Sequence, residues 1–257
     1  MLNAPSLIID LLLKDVNHKT TFFVFILGFF FTLFYLTSFL ISIIIKRNEY
    51  IEKGDDMDLA LLKENLERLH YSVKIFENKE TAADYLAESI CGKTVGIGGS
   101  VTIGQMELYE KLKERNSVLW HLRTDGTQSV MQVRKAATRA DIYISSVNGI
   151  SQKGEIVNID NTGNRVAAAT FGCDKVYFVI GKNKIAPTLE DAISRARNIA
   201  SPLNAKRLGL KTPCAVHADK CYDCNSEQRI CRNLSIFLKK PTGCDYEIIL
   251  IDEVLGY

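Results

Sequence analysis

The sequence predicts an α/β fold, a mainly parallel β-sheet with helices on both faces, preceded by one transmembrane helix. Beyond residue 57, short apolar runs alternate with longer amphipathic segments, which is typical of a parallel sheet layered with helices. Residues 20–45 carry no charged side chain and are rich in Phe, Leu and Ile, and this run exceeds the roughly 20 residues that cross a bilayer. The chain therefore divides into a flank (1–19), a transmembrane helix (20–45), a linker (46–56) and a soluble domain (57–257).

The residues around the apolar run bear on where the soluble domain lies. Lys46 and Arg47 follow the run directly. Basic residues are slightly more numerous on this carboxyl-terminal side of the run than on its amino-terminal side, which favours a cytoplasmic domain on a single-pass protein of the cell membrane. A second interpretation starts translation at Met57, because the preceding Lys-Gly-Asp-Asp can be encoded by codons that contain a bacterial ribosome-binding sequence. In that case the anchor is an extension of the gene prediction, and the protein is soluble and cytoplasmic.

The first half of the soluble domain alternates predicted helices and strands. Residues 58–70 place leucine at 59, 62, 66 and 69, which forms one face of an amphipathic helix. Thr81 is a predicted N-cap for a second helix, which runs through Ile90. The same periodicities predict strands over Val73–Phe76, 94–97 and Val118–Leu122, and helical segments over 103–115 and 127–139.

In the second half, a polar segment separates two apolar strands. These strands are predicted at Ile142–Ser146 and Val176–Ile180. Between them, an alternating run at 155–160 meets an Asn-Thr-Gly-Asn turn, so we expect a β-hairpin that pairs the run with residues 165–169. The last predicted elements are a helix capped by Thr188 that runs to about Ala200 and a buried strand over Tyr246–Ile251.

A glycine-rich turn follows the strand at 94–97. Gly98 and Gly99 let an anion approach the backbone at the start of the next helix, where the hydroxyls of Ser100 and Thr102 add donors. The alternative is a tight turn in which Ser100 is only the helix N-cap. The turn lacks the Gly-x-Gly-x-x-Gly fingerprint, and the sequence has no nicotinamide or flavin signature. The prediction here is a small anion rather than a dinucleotide.

Short polar side chains crowd the segment from Asn148 to Arg165. Asn148 is suited to orient a substrate carbonyl or carboxylate, Asp160 to act as a base, and Arg165 to grip a carboxylate bidentately. Asp160 and Arg165 are the catalytic candidates, with a structural ion pair as the alternative. Asn158 and Asn164 are further ligand-binding candidates, although Asn and Gly residues also shape turns.

The basic residues favour a small anionic ligand and argue against nucleic acid. Lys184 follows the end of a predicted strand, so it can neutralise a phosphate or carboxylate; a solvated surface lysine is the alternative. The formal net charge of the chain is only +2, and no stripe of Lys and Arg is present. We therefore expect a small anionic metabolite as the partner and no nucleic acid.

Four of the seven cysteines lie in one short segment, 214–231. Cys214, Cys221, Cys224 and Cys231 include one Cys-x-x-Cys pair, and four thiolates can hold tetrahedral zinc or an iron–sulfur cluster, with His217 as a substitute ligand. A redox-active dithiol at the Cys-x-x-Cys pair, or plain structural thiols, are the alternatives. The clustering indicates a reducing compartment rather than a disulfide framework.

The sequence closely resembles the LUD domain, the lactate-utilisation family, over residues 57–257. The resemblance rests on the motifs SSVNGISQKGEIVNIDNTGNRVAAATFG, VIGKNKI, PLNAKRLGLKTPC and CYDCNSEQRIC, which occur in the expected order. Relatives more often read SANAIT where this chain has SVNGIS. The resemblance implies a Rossmann-like layered fold similar to the sugar-phosphate isomerase and CoA-transferase group. It also implies work beside iron–sulfur partner subunits in the oxidation of L-lactate to pyruvate.

Three functional hypotheses follow. In the first, the chain is a component of iron–sulfur-linked lactate oxidation that supplies a binding site for a small anion. The second is a stand-alone binding or transfer enzyme for a phosphorylated or CoA-linked metabolite. The third is a non-catalytic sensor or assembly factor tethered to the membrane through residues 20–45. Only the first two require a ligand site in the soluble domain.

Overall fold

The computed structural model describes residues 58–257 and has an α/β fold with a mostly parallel central sheet, which confirms the predicted fold class. The predicted flank, transmembrane helix and linker, residues 1–56, lie outside the described residues. Among residues 58–257, no helix has the length and apolar character needed to span a bilayer.

The central sheet has six strands in the order β1-β10-β7-β4-β2-β3, and every neighbouring pair in it is parallel. Its strands are β1 (Ser72–Phe76), β2 (Thr94–Ile97), β3 (Ser117–Trp120), β4 (Ile142–Ser145), β7 (Lys175–Gly181) and β10 (Asp245–Ile251). After β3 the chain returns to the other side of β2 to form β4. This reversal creates a crevice at the carboxyl ends of β2 and β4, the place where open α/β sheets bind ligands.

Alternating side chains on the strands form two apolar cores, one on each face of the sheet. In β7, Val176 and Phe178 belong to the first core, whereas Tyr177 and Val179 belong to the second. All four are buried. Burial on both faces explains why β4, β7 and β10 read as continuous apolar runs and were predicted close to their observed bounds.

The helices that cover the sheet match the predicted helical segments only in part. They are α1 (Leu59–Arg68), α2 (Lys79–Ser89), α3 (Val101–Gln105), α4 (Leu108–Lys113), α5 (Val130–Ala137), α6 (Asn164–Thr170), α7 (Leu189–Arg195), α8 (Ser201–Arg207) and α9 (Pro213–His217). A π-helical turn, Ala196–Ala200, joins α7 to α8.

Two of the predicted helix bounds were wrong for identifiable reasons. Helix α2 begins before Thr81 because the side chain of Asn78 caps it, accepting a hydrogen bond from the Thr81 backbone N–H at 2.9 Å. The segment 103–115 is two helices rather than one, since Glu107 between them has a left-handed backbone with φ of 51°. Both differences arise from local capping and turn geometry that the apolar periodicity does not encode.

A second, four-stranded sheet has the order β8-β5-β6-β9 and holds the polar segment. Its strands are β5 (Gly149–Ser151), β6 (Ile156–Asp160), β8 (Ile185–Ala186) and β9 (Asn233–Phe237). The predicted hairpin between residues 155–160 and 165–169 was wrong: β6 pairs antiparallel with β5 and β9, and residues 165–169 belong to helix α6. The carboxylate of Asp160 causes this outcome, because it accepts the first-turn N–H groups of Arg165 and Val166 and so starts a helix.

Candidate functional site

A cavity of about 220 Å³ opens at the carboxyl ends of β2, β3, β4 and β7. It therefore lies in the crevice that the strand order creates. Most of the predicted site residues line it: Gly99, Ser100, Thr102, Asn148, Asp160, Asn164, Arg165 and Lys184. Gly98 and Asn158 are not part of the lining. The structure thus brings together side chains from turns that are up to 85 residues apart along the chain, Gly99 to Lys184.

Lys184 is buried in the wall of this cavity, with only 3% of its surface exposed. A short 3-10 turn, Lys182–Lys184, follows β7 and points the side chain at the ends of β2 and β4. There the Nζ atom donates hydrogen bonds to the hydroxyls of Thr102 at 2.8 Å and Ser146 at 2.7 Å. Burial holds the pKa of Lys184 well below its usual value, and the cationic side chains of Arg195 and Arg165 lower it further. The alternative of a solvated surface lysine was wrong.

The guanidinium group of Arg165 is bound by the protein itself. Its NH1 atom donates to the Ser146 carbonyl at 2.9 Å and to Asn158 Oδ1 at 2.7 Å. Its NH2 atom donates to Asn148 Oδ1 and to the Ile159 carbonyl, both at 2.6 Å. These contacts tie the end of β4 to β6. The two terminal nitrogens that would form a bidentate grip on a carboxylate are already used, so the geometry gives Arg165 a scaffolding role beside its place in the cavity wall.

Asp160 also uses its carboxylate within the fold. Its Oδ2 atom accepts the backbone N–H groups of Arg165 at 2.8 Å and Val166 at 3.1 Å, and Oδ1 accepts from the Asn161 N–H at 2.7 Å. No ion pair joins the Asp160 and Arg165 side chains among residues 58–257; burial lowers the pKa of Arg165, and nearby Asp160 offsets only part of that effect. A catalytic role for Asp160 stays a prediction.

The glycine-rich turn has the geometry of a helix start. The Ser100 hydroxyl accepts the Ile103 N–H at 3.3 Å, as the N-cap alternative predicted, and the helix that follows has only five residues. The Gly98 N–H is bonded to the Ile144 carbonyl at 2.9 Å, which extends the sheet beyond β2. A side chain at Gly98 would lie 2.9 Å from the Tyr143 and Ser145 hydroxyl oxygens, so glycine is required for packing behind the cavity. Anion binding by this turn stays a prediction.

Three basic residues of the cavity wall were missed in the sequence: His121, Arg134 and Arg207. His121 follows β3, which ends at Trp120 rather than at Leu122 as predicted. Its imidazole lies where a side chain at Gly99 would be, 3.3 Å from the position of the absent Cβ atom. Burial lowers the pKa of His121, and nearby Arg134 lowers it further while Asp160 raises it. The sequence feature that could have identified His121 is its position, because it is the first residue after a strand at the ligand-binding edge of the sheet.

Arg134, on helix α5, brings a second cation to the cavity. Its NH1 atom donates to the Thr162 hydroxyl at 3.3 Å. Its Nε atom is buried and has no hydrogen-bond partner within residues 58–257. A buried N–H without an acceptor is costly, so an anionic ligand in the cavity would satisfy it. Lys184 and Arg207 also lie in the wall, so the cavity is basic.

Arginine side chains contact the cysteine segment. Arg229 donates to the Cys224 and Cys231 carbonyls at 2.7 and 2.9 Å, and Arg197 contacts the Cys221 thiol at 3.7 Å. Within residues 58–257, no three His, Cys, Asp or Glu side chains are close enough together to hold a metal ion. As placed, Cys214, Cys221, Cys224 and Cys231 do not fit zinc or an iron–sulfur cluster. Such a centre, and the iron–sulfur partner subunits, stay predictions from the sequence.

Comparison with known proteins gives one family match. The family model of the LUD domain matches residues 59–251. A crystal structure of a DUF162 family protein from Deinococcus radiodurans is similar to this chain with a TM-score of 0.43 and 12% sequence identity. The similarity covers 75% of this chain and 95% of that one. No curated protein sequence matches the chain.

Proposed function

This chain belongs to the LUD domain family, and from that premise we propose that its cavity binds a small organic acid anion of lactate metabolism, a 2-hydroxy or 2-oxo acid. The family places the protein in lactate utilisation only in general terms. The proposal assigns the ligand to the cavity at the ends of β2, β3, β4 and β7, and it assigns the carboxylate of that ligand to the guanidinium of Arg134, with the amine of Lys184 beside it.

The observation that carries the proposal is a basic cavity whose one acidic side chain is already engaged. Arg134 and Lys184 both line it, and the side-chain partners of both within residues 58–257 are hydroxyl groups rather than carboxylates. Asp160 is the acidic side chain of the wall, and its oxygens are bonded to backbone N–H groups. The buried Nε–H group of Arg134 has no acceptor within residues 58–257, and an anionic ligand would supply one.

The size of the cavity limits the ligand. Its volume of about 220 Å³ lies below the roughly 300–1,000 Å³ of sites that enclose drug-sized molecules. An acid of three or four carbons fits within that volume. This agrees with the absence of a dinucleotide fingerprint in the glycine-rich turn after β2.

Titration calorimetry on the full chain tests the proposal. We expect saturable binding of L-lactate or pyruvate, weakened about tenfold or more in Arg134→Met because one charge-assisted contact is worth about 1.5–3 kcal/mol. Lys135→Met is the matched control, since Lys135 is exposed on the same helix and does not line the cavity. Equal heats for wild type and Arg134→Met, or no heat with either acid, would contradict the proposal.

The second hypothesis, a phosphorylated or CoA-linked metabolite, is supported by one further cation. Arg207 lines the cavity and is itself exposed, so it can contact a phosphate that extends outward. A sugar phosphate and acetyl-CoA therefore belong in the same titration series. Tighter binding of either one, with loss of affinity in Arg207→Met, would favour this second function over the first.

A further inference from the structure

The amine of Lys184 is placed as a nucleophile rather than as a simple charge anchor. In the wall of the cavity its Nζ atom has two hydrogen-bond partners, the hydroxyls of Thr102 and Ser146. Each of those hydroxyls donates its own proton to a backbone carbonyl: Ser146 to Val179 at 2.5 Å, and Thr102 to Leu255 at 3.3 Å. Both hydroxyl oxygens are therefore acceptors toward Lys184, and the amine donates two N–H bonds to them.

An amine that donates two N–H groups still has one tetrahedral position. In an ammonium this position is a third N–H, and in a neutral amine it is the lone pair. No acidic side chain pairs with Lys184 in the part of the chain that the structure describes, and the charged groups closest to it, Arg165 and Arg195, are cationic. Burial among cations favours the neutral amine. The remaining position is then a lone pair in the wall of the cavity to which the proposed function assigns a 2-hydroxy or 2-oxo acid.

The backbone approaches Lys184 closely at Gly256, where a residue with a side chain does not fit. A side chain at Gly256 would lie 2.5 Å from the Thr102 hydroxyl oxygen and 3.3 Å from Lys184 Nζ. The backbone of Gly256 is fixed there by its N–H, which donates to Gln105 Oε1 at 2.7 Å. Glycine at this place lets the chain close over the amine without filling the space beside it.

We propose that Lys184 captures a 2-oxo acid such as pyruvate covalently, by forming an imine with its carbonyl carbon. The nitrogen adds to the carbonyl carbon to form a carbinolamine, and this loses water to give the C=N bond; no oxidant or reductant is needed. The inference rests on the proposed function, since Arg134 must hold the carboxylate while the adjacent carbonyl faces Lys184. That carboxylate also supplies the negative charge that a protonated imine needs in this basic wall.

Reductive trapping on the full chain tests the inference. The protein is incubated with pyruvate and cyanoborohydride, digested, and mapped by peptide mass spectrometry. We expect one adduct, equal in mass to pyruvic acid less one oxygen atom, on the peptide that contains Lys184. The adduct should be absent from Lys184→Met and unchanged in Lys182→Met, because Lys182 pairs with Asp252 and lies outside the cavity wall.

The outcomes separate this inference from the proposed function. Pyruvate that binds by calorimetry but leaves no adduct on wild-type Lys184 overturns the imine and leaves the binding site standing. Adducts spread evenly over exposed lysines overturn it as well. The absence of both binding and adduct overturns the inference together with the proposed function. Because the peptide map of the wild-type chain decides each case, the test does not depend on the folding of Lys184→Met.

Discussion

Replacing Arg165 with methionine should destabilise the fold rather than simply empty the binding site. The substitution removes four hydrogen bonds from a charged donor, to Asn148, Asn158, Ser146 and Ile159. At about 1.5 kcal/mol for each bond, the lower end of the range for a charged donor, the gross loss is about 6 kcal/mol. The loss of free energy is smaller where the acceptor still receives a hydrogen bond from a second donor. Asn148 Oδ1, for example, still accepts the Ile159 N–H at 2.8 Å.

Release of the guanidinium from its enclosed position offsets part of the remainder, because desolvation opposes the burial of a charge. The expected net loss in free energy of unfolding is therefore about 2–4 kcal/mol. Urea unfolding of the full chain measures it, as a lower midpoint at an unchanged slope. Arg134→Met is the comparison variant. It loses one bond at 3.3 Å, so its stability should fall by less than about 1 kcal/mol while its ligand affinity falls.

The reasoning is refuted if Arg165→Met loses ligand affinity without losing stability, the result expected for Arg134→Met. An Arg165→Met chain as stable as wild type, with a specific loss of pyruvate or lactate binding, would show that the guanidinium contacts the ligand and not the strand ends. The original prediction of a bidentate grip by Arg165 would then be restored.

Three other expectations can be checked independently. Gly96→Ala should lower the free energy of unfolding by about 1–3 kcal/mol, and with it the thermal midpoint, because the added methyl would lie 2.6 Å from the Ala137 carbonyl oxygen. Gly104→Ala should not lower it, since its methyl meets only Trp120 at 3.9 Å and alanine favours a helix; equal losses in both variants would contradict this packing argument. His121 has a folded-state pKa below its usual 6.5, so its penalty on stability is absent above that pH and grows as the pH falls below it. His121→Asn should therefore flatten the decline in stability between about pH 6.5 and 5, measured by urea unfolding; a decline as steep as in wild type would point to another group. Metal and sulfide analysis of the full chain tests the cysteine prediction: iron with labile sulfide, lost in Cys221→Ser, would support it, and metal-free protein purified without oxygen would contradict it.

The parts of the fold that were predictable are those governed by burial. Strands β4, β7 and β10 are apolar on both faces, so their sequences are continuous apolar runs that identify them directly. The order of strands in the sheet, and with it the crevice between β2 and β4, depends on contacts between distant segments. It could be inferred only in general terms, from the alternation of helices and strands.

The errors have a common physical origin in side chains that act on the backbone. The Asn-Thr-Gly-Asn turn after β6 is a good hairpin turn by sequence, but the Asp160 carboxylate accepts two N–H groups that follow it and starts helix α6 instead. In the same way, Asn78 rather than Thr81 fixes the start of α2. Such hydrogen bonds compete with strand pairing at similar energy, so residue pattern alone does not decide between them.

The sequence predicts where the residues of the candidate site lie better than it predicts what each of them does there. Lys184 and Asn148 were identified because each follows a predicted strand, and Asp160 because it belongs to the polar segment between two strands; the structure places all three at one cavity. What each group does there depends on its partners: Arg165 is occupied by carbonyl and amide oxygens, whereas Lys184 faces two hydroxyls. Arg134 is on a helix whose face toward the cavity is set by tertiary packing, which explains why its sequence position gave no signal.

A crystal structure of the full chain with oxamate, an unreactive analogue of pyruvate, tests the central claim most directly. The claim is that the basic cavity at the ends of β2, β3, β4 and β7 holds a small carboxylate. We expect density for oxamate in this cavity, with its carboxylate within about 3 Å of the Arg134 guanidinium, the range of a charge-assisted hydrogen bond, and its carbonyl carbon facing Lys184. Oxamate bound elsewhere on the protein, with the cavity filled only by water, would contradict the account.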